Sequence, residues 1–211
     1  MKTIAIISRK GGSGKSTIAK HMAVEACKHY KNVGLVDFDP QGSVTRWFNK
    51  RDKKDAPYLV TLDLNNIQEQ MKGFEADGAN LLIIDTAGVM IDALQNILKV
   101  SDFVIVPVRP TEDDMELLED NVQIVAKSGL RPLFVITDAT PNESYARYAF
   151  ESLAKIGAVL GTINRTKLFS TASAQGLTVT ELPTSITGNV LAVQQIKDTF
   201  KALNKQIKMG N

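Results

Sequence analysis

Residues 9–16 read Arg9-Lys10-Gly11-Gly12-Ser13-Gly14-Lys15-Ser16, directly after a short apolar run and before a helix-like stretch. Glycines in this setting let backbone N–H groups curl around phosphate oxygens, and a helix N-terminus adds a dipole that favours negative charge. Lys15 is placed to reach the terminal phosphates and Ser16 to ligate Mg2+. The candidate nucleotide-binding residues are therefore Lys10, Gly11, Gly12, Ser13, Gly14, Lys15, Ser16 and Thr17. A plain glycine-rich turn would not need Gly-Lys-Ser at the start of the helix. One departure from the general phosphate-loop pattern is informative: Arg9 stands where glycine is usual, and a second lysine, Lys10, follows it. So early in the loop, that lysine is badly placed to fold back onto its own phosphates. It can reach across a two-fold axis to a nucleotide held by another subunit, supplying a cation where charge develops. The alternative is a solvated loop lysine.

Two later segments supply carboxylates. Val36-Asp37-Phe38-Asp39-Pro40-Gln41-Gly42 places two acids one residue apart at the end of an extended run, hence on one face. Beside a Mg2+–triphosphate, one can hold a metal-bound water and the other orient the attacking water. A solvated Asp-Pro turn explains Pro40 but not two acids ending a buried strand. Leu81-Leu82-Ile83-Ile84-Asp85-Thr86-Ala87-Gly88 is four apolar residues closed by an acid. That is a Walker B strand, with Asp85 touching the Mg2+ shell through Ser16 or water.

These residues need rigid elements to hold them. Strand-like runs lie at 3–8, 33–37, 81–85, 103–108 and 133–137, with a weaker one at 158–160. Most are apolar at consecutive positions, as in strands covered on both faces. Helical stretches fall at about 15–30, 63–73, 90–99, 113–127, 144–156 and 189–207, while 43–60 and 163–188 read least clearly. The alternation predicts an α/β fold: a doubly wound, mostly parallel sheet with helices on both faces. With 211 residues and no linker-like shift in composition, one domain spanning 1–211 is expected. A hydrophobic fraction of 44% argues against a disordered chain, and one cysteine, Cys27, excludes an internal disulfide. No apolar run approaches the ~20 residues of a membrane span. The N-terminus runs into glycines rather than a cleavage site, so it reads as a strand and not a signal peptide. A cytoplasmic protein is expected.

Lys10-Gly11-Gly12-Ser13-Gly14-Lys15-Ser16 resembles the deviant Walker A motif of the ParA/MinD group of P-loop ATPases. The segment from Asp37 to Gly42 resembles the group's switch I, Asp-x-Asp-Pro-Gln-Gly. Asp85 heads a loop that departs from the usual Asp-x-Pro-Pro, reading Asp-Thr-Ala-Gly. Looser similarity continues through Val106-Pro107-Val108-Arg109-Pro110-Thr111 and the region 161–176. The resemblance implies an ATPase using ATP and Mg2+ that is slow unless a partner stimulates it. It also implies an ATP-bound sandwich dimer in which Lys10 contacts the partner subunit's phosphates. Asp37 then takes the metal side and Asp39 positions the nucleophile. The small size, without an N-terminal DNA-binding extension, is similar to short members that partition DNA, plasmid DNA in particular. The implied partners are a second copy of the chain, non-specific DNA and a ParB-like centromere-binding adaptor, with nucleoid association in the ATP state.

Rival chemistries fit less well. A GTPase would explain Asp85-Thr86-Ala87-Gly88, but Asn49-Lys50-Arg51-Asp52 precedes that loop, whereas guanine recognition needs it after a late strand. It reads instead as a solvated helix end. An iron–sulfur reductase of this fold needs two cysteine ligands per subunit; Cys27 is alone and inside the first helix. A tyrosine autokinase would carry a tyrosine cluster in its tail, and none follows Tyr148. A positioning ATPase for another cargo and an ATP-dependent synthetase of the same fold stay open.

The charges, 25 Lys+Arg against 23 Asp+Glu, matter by position. Ile196, Phe200, Leu203 and Ile207 share about 60° of helical arc beside a stripe of Lys197, Lys201, Lys205 and Lys208. The apolar stripe suits packing on the sheet better than a membrane, so no membrane partner is expected. The lysines, with Arg165 and Lys167, are candidates for sequence-independent DNA binding. A second basic cluster, Arg46, Lys50, Arg51, Lys53 and Lys54 around Trp47 and Phe48, is the alternative DNA-binding surface, against the plainer reading of a solvated helix and turn. The acids of 112–120 crowd a helix N-terminus, where the macrodipole favours them.

Overall fold

The computed structural model describes residues 1–52, 56–86, 91–141 and 143–210. Lys53, Lys54, Ala87 and Gly88, named above, lie outside the described residues. The elements run β1 (Lys2–Ile6), α1 (Lys15–Ala26), β2 (Val33–Asp37), α2 (Ser43–Asn49), β3 (Tyr58–Val60), α3 (Ile67–Ala76), β4 (Leu81–Asp85) and α4 (Ile91–Lys99). They continue as β5 (Phe103–Val108), α5 (Glu112–Glu116), α6 (Leu118–Lys127), β6 (Pro132–Ala139), α7 (Ser144–Leu153), β7 (Ala158–Asn164), α8 (Leu168–Ala174) and α9 (Asn189–Met209). Seven parallel strands form one sheet in the order β3-β2-β4-β1-β5-β6-β7. This is the expected doubly wound α/β domain.

Successive strand residues point to opposite faces, so the apolar runs divide cleanly between two cores. Ile4, Ile6, Leu81 and Ile83 pack with residues of α1, α2, α8 and α9, whereas Ala5, Leu82 and Ile84 pack under α3, α4, α6 and α7. Ile196, Phe200, Leu203 and Ile207 of α9 are all buried in the first core. Burying each contributes about 2 kcal/mol, and the stripe is thereby unavailable to a membrane. Among the described residues no helix is long and apolar enough to cross one. Gly161 of β7 lets α9 approach closely, because a Cβ there would sit 2.4 Å from Thr199 Oγ1.

The differences from the sequence reading have local causes. β3 is a three-residue edge strand, too short to show a period, and it was not expected. The helix expected over 113–127 is two, α5 and α6, parted at Leu117. β7 extends to Asn164, and α1 ends at Ala26, which puts Cys27 at its C-cap rather than inside it.

Candidate functional site

The C-terminal ends of β2, β4 and β1 lie side by side: Asp37 is in register with Asp85, and Ile6 with Asp85. Ligands of open α/β sheets bind beyond such strand ends. The loop after β1 enters α1 through Gly12 and Gly14, both at positive φ (75° and 94°). A side chain at Gly14 would be strained by that φ and would press on Thr137, 3.3 Å away. Gly14 is also the N-cap and provides no side-chain cap, and the first turn of α1 has no acid. The helix start is thus left for an anion from outside. Thr137 of β6 donates to Ser13 O at 2.8 Å, pinning the loop from the far side.

Lys15 is buried and its Nζ donates to Lys10 O at 3.1 Å, folding the side chain over its own loop. Burial lowers its pKa, opposed by the charges of Asp85 and Asp39. Asp85 is fully buried, and among the described residues neither of its carboxylate oxygens has a hydrogen-bond partner. Burial pushes its pKa up to about 7; the neighbouring Ser16 hydroxyl opposes this without reaching hydrogen-bond geometry. Two orphaned carboxylate oxygens beside a serine hydroxyl suit a hard cation such as Mg2+. Asp37 is more committed: Oδ2 accepts from Thr45 N (2.7 Å) and Thr45 Oγ1 (2.9 Å), and Oδ1 from Asp39 N (3.1 Å). Asp39 accepts from Gln41 N at 2.8 Å through Oδ1, and among the described residues Oδ2 has no hydrogen-bond donor. Among the described residues no group of three or more acidic, histidine or cysteine side chains forms a metal cage. Mg2+ does not require one, since it usually takes one or two carboxylates and completes its shell with phosphates and water.

Lys10 is neither folded inward nor free in solvent. Its Nζ lies 2.8 Å from Asp114 Oδ1 and 3.1 Å from Asp113 Oδ2, both on α5. Arg109 grips Asp114 in a fork through Nε (3.1 Å) and Nη2 (2.8 Å), and Arg9 pairs with Asp120 at 2.5 Å. Burial opposes ionisation of Asp114, yet hydrogen bonds from Arg109 and Lys10 hold its pKa at about 2. The acids near 112–120 therefore anchor the basic residues of the phosphate loop as well as meeting a helix start.

Beside Gly12, Gly14 and Thr17 opens a cavity of about 370 Å3, walled by the ends of β6 and β7 and by Phe169 of α8. It continues from the phosphate loop and is of a size for a nucleoside. Arg165, a DNA candidate from the sequence, sits on this cavity's wall and pairs with Asp138 at 3.0 Å. Lys167 is exposed just before α8, and Lys197, Lys201 and Lys205 are exposed on α9. Arg51 corrects the expected solvated cluster: it is 4% exposed and lies over the Trp47 ring at 4.6 Å. It donates to Gly176 O and to both carboxylate oxygens of Glu181 (3.0 and 2.7 Å).

Two residues escaped the sequence reading. His21 is buried one turn beyond Thr17, with Nδ1 2.7 Å from Thr17 O and Nε2 accepting from Val179 N at 3.0 Å. Burial lowers its pKa to about 4. Lys20 is buried beside it. Neither belongs to the motif, and each depends on a partner far along the chain: Val179 for His21 and Ser173 for Lys20.

A family model described as the CobQ/CobB/MinD/ParA nucleotide binding domain matches residues 4–179. Protein ParA of Rhizobium radiobacter is 29% identical over 128 residues, 60% of this chain and 57% of that one. Maintenance of carboxysome distribution protein A of Halothiobacillus neapolitanus is 24% identical over 189 residues, covering 85% and 87%. This chain therefore spans little more than half of the first relative's length and most of the second's. The fold is shared with a plasmid partition protein of Borrelia burgdorferi B31 bound to AMPPNP (TM-score 0.77, 22% identity, 97% and 99% covered). The phosphate loop, the orphaned Asp85 and the family match agree: this chain belongs to the CobQ/CobB/MinD/ParA nucleotide-binding family.

Proposed function

We propose that the chain binds MgATP through Gly11–Thr17 and closes around it as a sandwich dimer, each subunit extending Lys10 to the other's phosphates. The observation that carries this reading is the division of labour between two lysines: Lys15 is folded over its own loop, while Lys10 is held at the rim by Asp113 and Asp114. Mg2+ would be held by Ser16 and by Asp85 and Asp37, through direct or water-mediated contacts, and would neutralise charge on the phosphates. Lys15 orients the terminal phosphates. Asp39, with one oxygen uncommitted, accepts a hydrogen bond from the attacking water and aims it. Hydrolysis is slow until an adaptor completes the site.

Its work is the partition of DNA, plasmid DNA in the first instance, with a ParB-like centromere-binding adaptor as partner and the nucleoid as the track. Exposed lysines on α9, with Lys167, supply the phosphate contacts, and dimerisation doubles them. Arg165, on the cavity wall and paired to Asp138, adds to that surface only at its edge. Retention on non-specific DNA should require ATP and fall steeply with salt; equal retention without nucleotide, or none at low salt, removes the partition reading. The likeness to a carboxysome-distribution protein across 87% of that protein's length favours a second reading, the same cycle positioning a protein cargo. Loss of DNA retention with intact ATP-dependent dimerisation would not separate the two, but co-purification with DNA of one defined site would select the first.

A further inference from the structure

Lys20 lies on α1 outside the phosphate-loop motif, yet it forms part of the wall of the cavity beside that loop, with Thr17 and Ser173. Its residue surface is 7% exposed. An ammonium has three donors. Here Nζ makes one hydrogen bond, to Ser173 Oγ at 3.0 Å. Among the described residues no carboxylate lies within ion-pair distance of it, so two donors have no protein acceptor. Burial lowers its pKa, with Asp85 and Asp37 opposing from a distance. A buried cation with one neutral partner costs stability unless it serves a ligand. Nothing in the packing requires a charge there.

The position indicates which ligand atoms it meets. In a phosphate loop the backbone N–H groups cradle the first two phosphates, so the sugar and base leave through the cavity between Thr17 and α8. Lys20 follows Thr17 by three residues and so shares its face of the helix. Long helical side chains also lean back toward the helix N-terminus. The ammonium is therefore carried to the level where the first phosphate gives way to the sugar.

We propose that Lys20, steadied by Ser173, is a nucleotide-binding residue that donates to oxygens at the junction of the α-phosphate and the ribose. The contact is made within one subunit, at a cavity whose wall does not include Lys10, and does not depend on dimer formation. It rests on the reading that this cavity holds the nucleoside of ATP.

Calorimetric titration with Mg2+ and either ATP or 2′-deoxy-ATP tests it. Lys20→Met keeps the length of the side chain and removes the charge. ATP affinity should fall about ten- to a hundredfold, the range for one charged hydrogen bond, with the thermal midpoint unchanged or raised. If the acceptor is the α-phosphate, both nucleotides weaken equally. If it is the 2′-hydroxyl, the wild type already disfavours 2′-deoxy-ATP and Lys20→Met abolishes the difference. ATP affinity equal to wild type in a folded Lys20→Met overturns the proposal. Ser173→Asp is the second variant and decides alone should Lys20→Met not fold: a carboxylate at 3 Å captures the ammonium and should weaken ATP similarly, and unchanged affinity overturns the proposal. A wild-type chain that binds no ATP instead overturns the reading of the cavity itself.

Discussion

The two flanks of the phosphate loop are built from the same residue types on opposite terms. On the inner flank, Lys15, Lys20 and Asp85 are buried, sparsely hydrogen-bonded and shifted toward neutrality by desolvation. On the outer flank, Arg9, Lys10 and Arg109 meet Asp113, Asp114 and Asp120 in pairs that are exposed at one partner or both, except where Asp114 is covered. Buried charge is costly to leave unmatched and so is preorganised for a ligand. Exposed pairs are worth little and exchange easily. The inner flank is therefore suited to holding a nucleotide, and the outer flank to releasing a lysine when a better partner arrives.

Two substitutions test that contrast at the loop, and two more set a buried ion pair elsewhere in the fold against an exposed one. Lys15→Met should remove ATP turnover by about a thousandfold or more with a normal thermal midpoint, since a preorganised cation on the phosphates is lost; turnover within tenfold of wild type would contradict an inner catalytic flank. Lys10→Ala should leave nucleotide binding nearly intact and abolish ATP-dependent dimerisation or stimulated turnover. An arginine finger in that role is worth roughly 10³–10⁵ in rate, and a lysine without the planar fork supplies less. Arg51→Met should cost about 2–3 kcal/mol in denaturant unfolding, because Glu181 loses its bidentate partner within the fold. Arg9→Ala, on the exposed pair with Asp120, should cost less than about 1 kcal/mol; a larger loss than at Arg51 would reverse the comparison.

His21 gives a pH signature on the inner side. Its folded pKa of about 4 lies below the unfolded value of about 6.5, so the unfolded chain binds the proton more readily between them. The stabilisation from the neutral ring is full above pH 6.5 and is lost as pH falls toward 4. The difference is worth up to about 3 kcal/mol. His21→Asn should flatten that slope in unfolding experiments across pH 4 to 6.5.

Much of the site was legible because its chemistry sits where chain direction forces it. A parallel strand covered on both faces reads as an apolar run, and Asp37 and Asp85 each end one. Glycines with Lys15 and Ser16 mark the turn into α1. What stayed hidden depends on partners far along the chain. Arg51 looks solvated until Glu181, 130 residues later, closes on it, and Lys20 looks like any helix lysine until α8 covers it. β3 has three residues and one covered edge, too few for a period. The break at Leu117 leaves no glycine or proline as a marker.

The close seat of α9 on β7 has a mechanical consequence. Gly161 brings Thr199 into contact with the strand, and Gln195 Oε1 accepts from Asn164 N at 3.1 Å where β7 ends at the cavity. No loop intervenes between the lysine-bearing helix and the wall of the cavity. A displacement of that helix must therefore be taken up by β7 and felt at the cavity wall, through direct packing and one hydrogen bond.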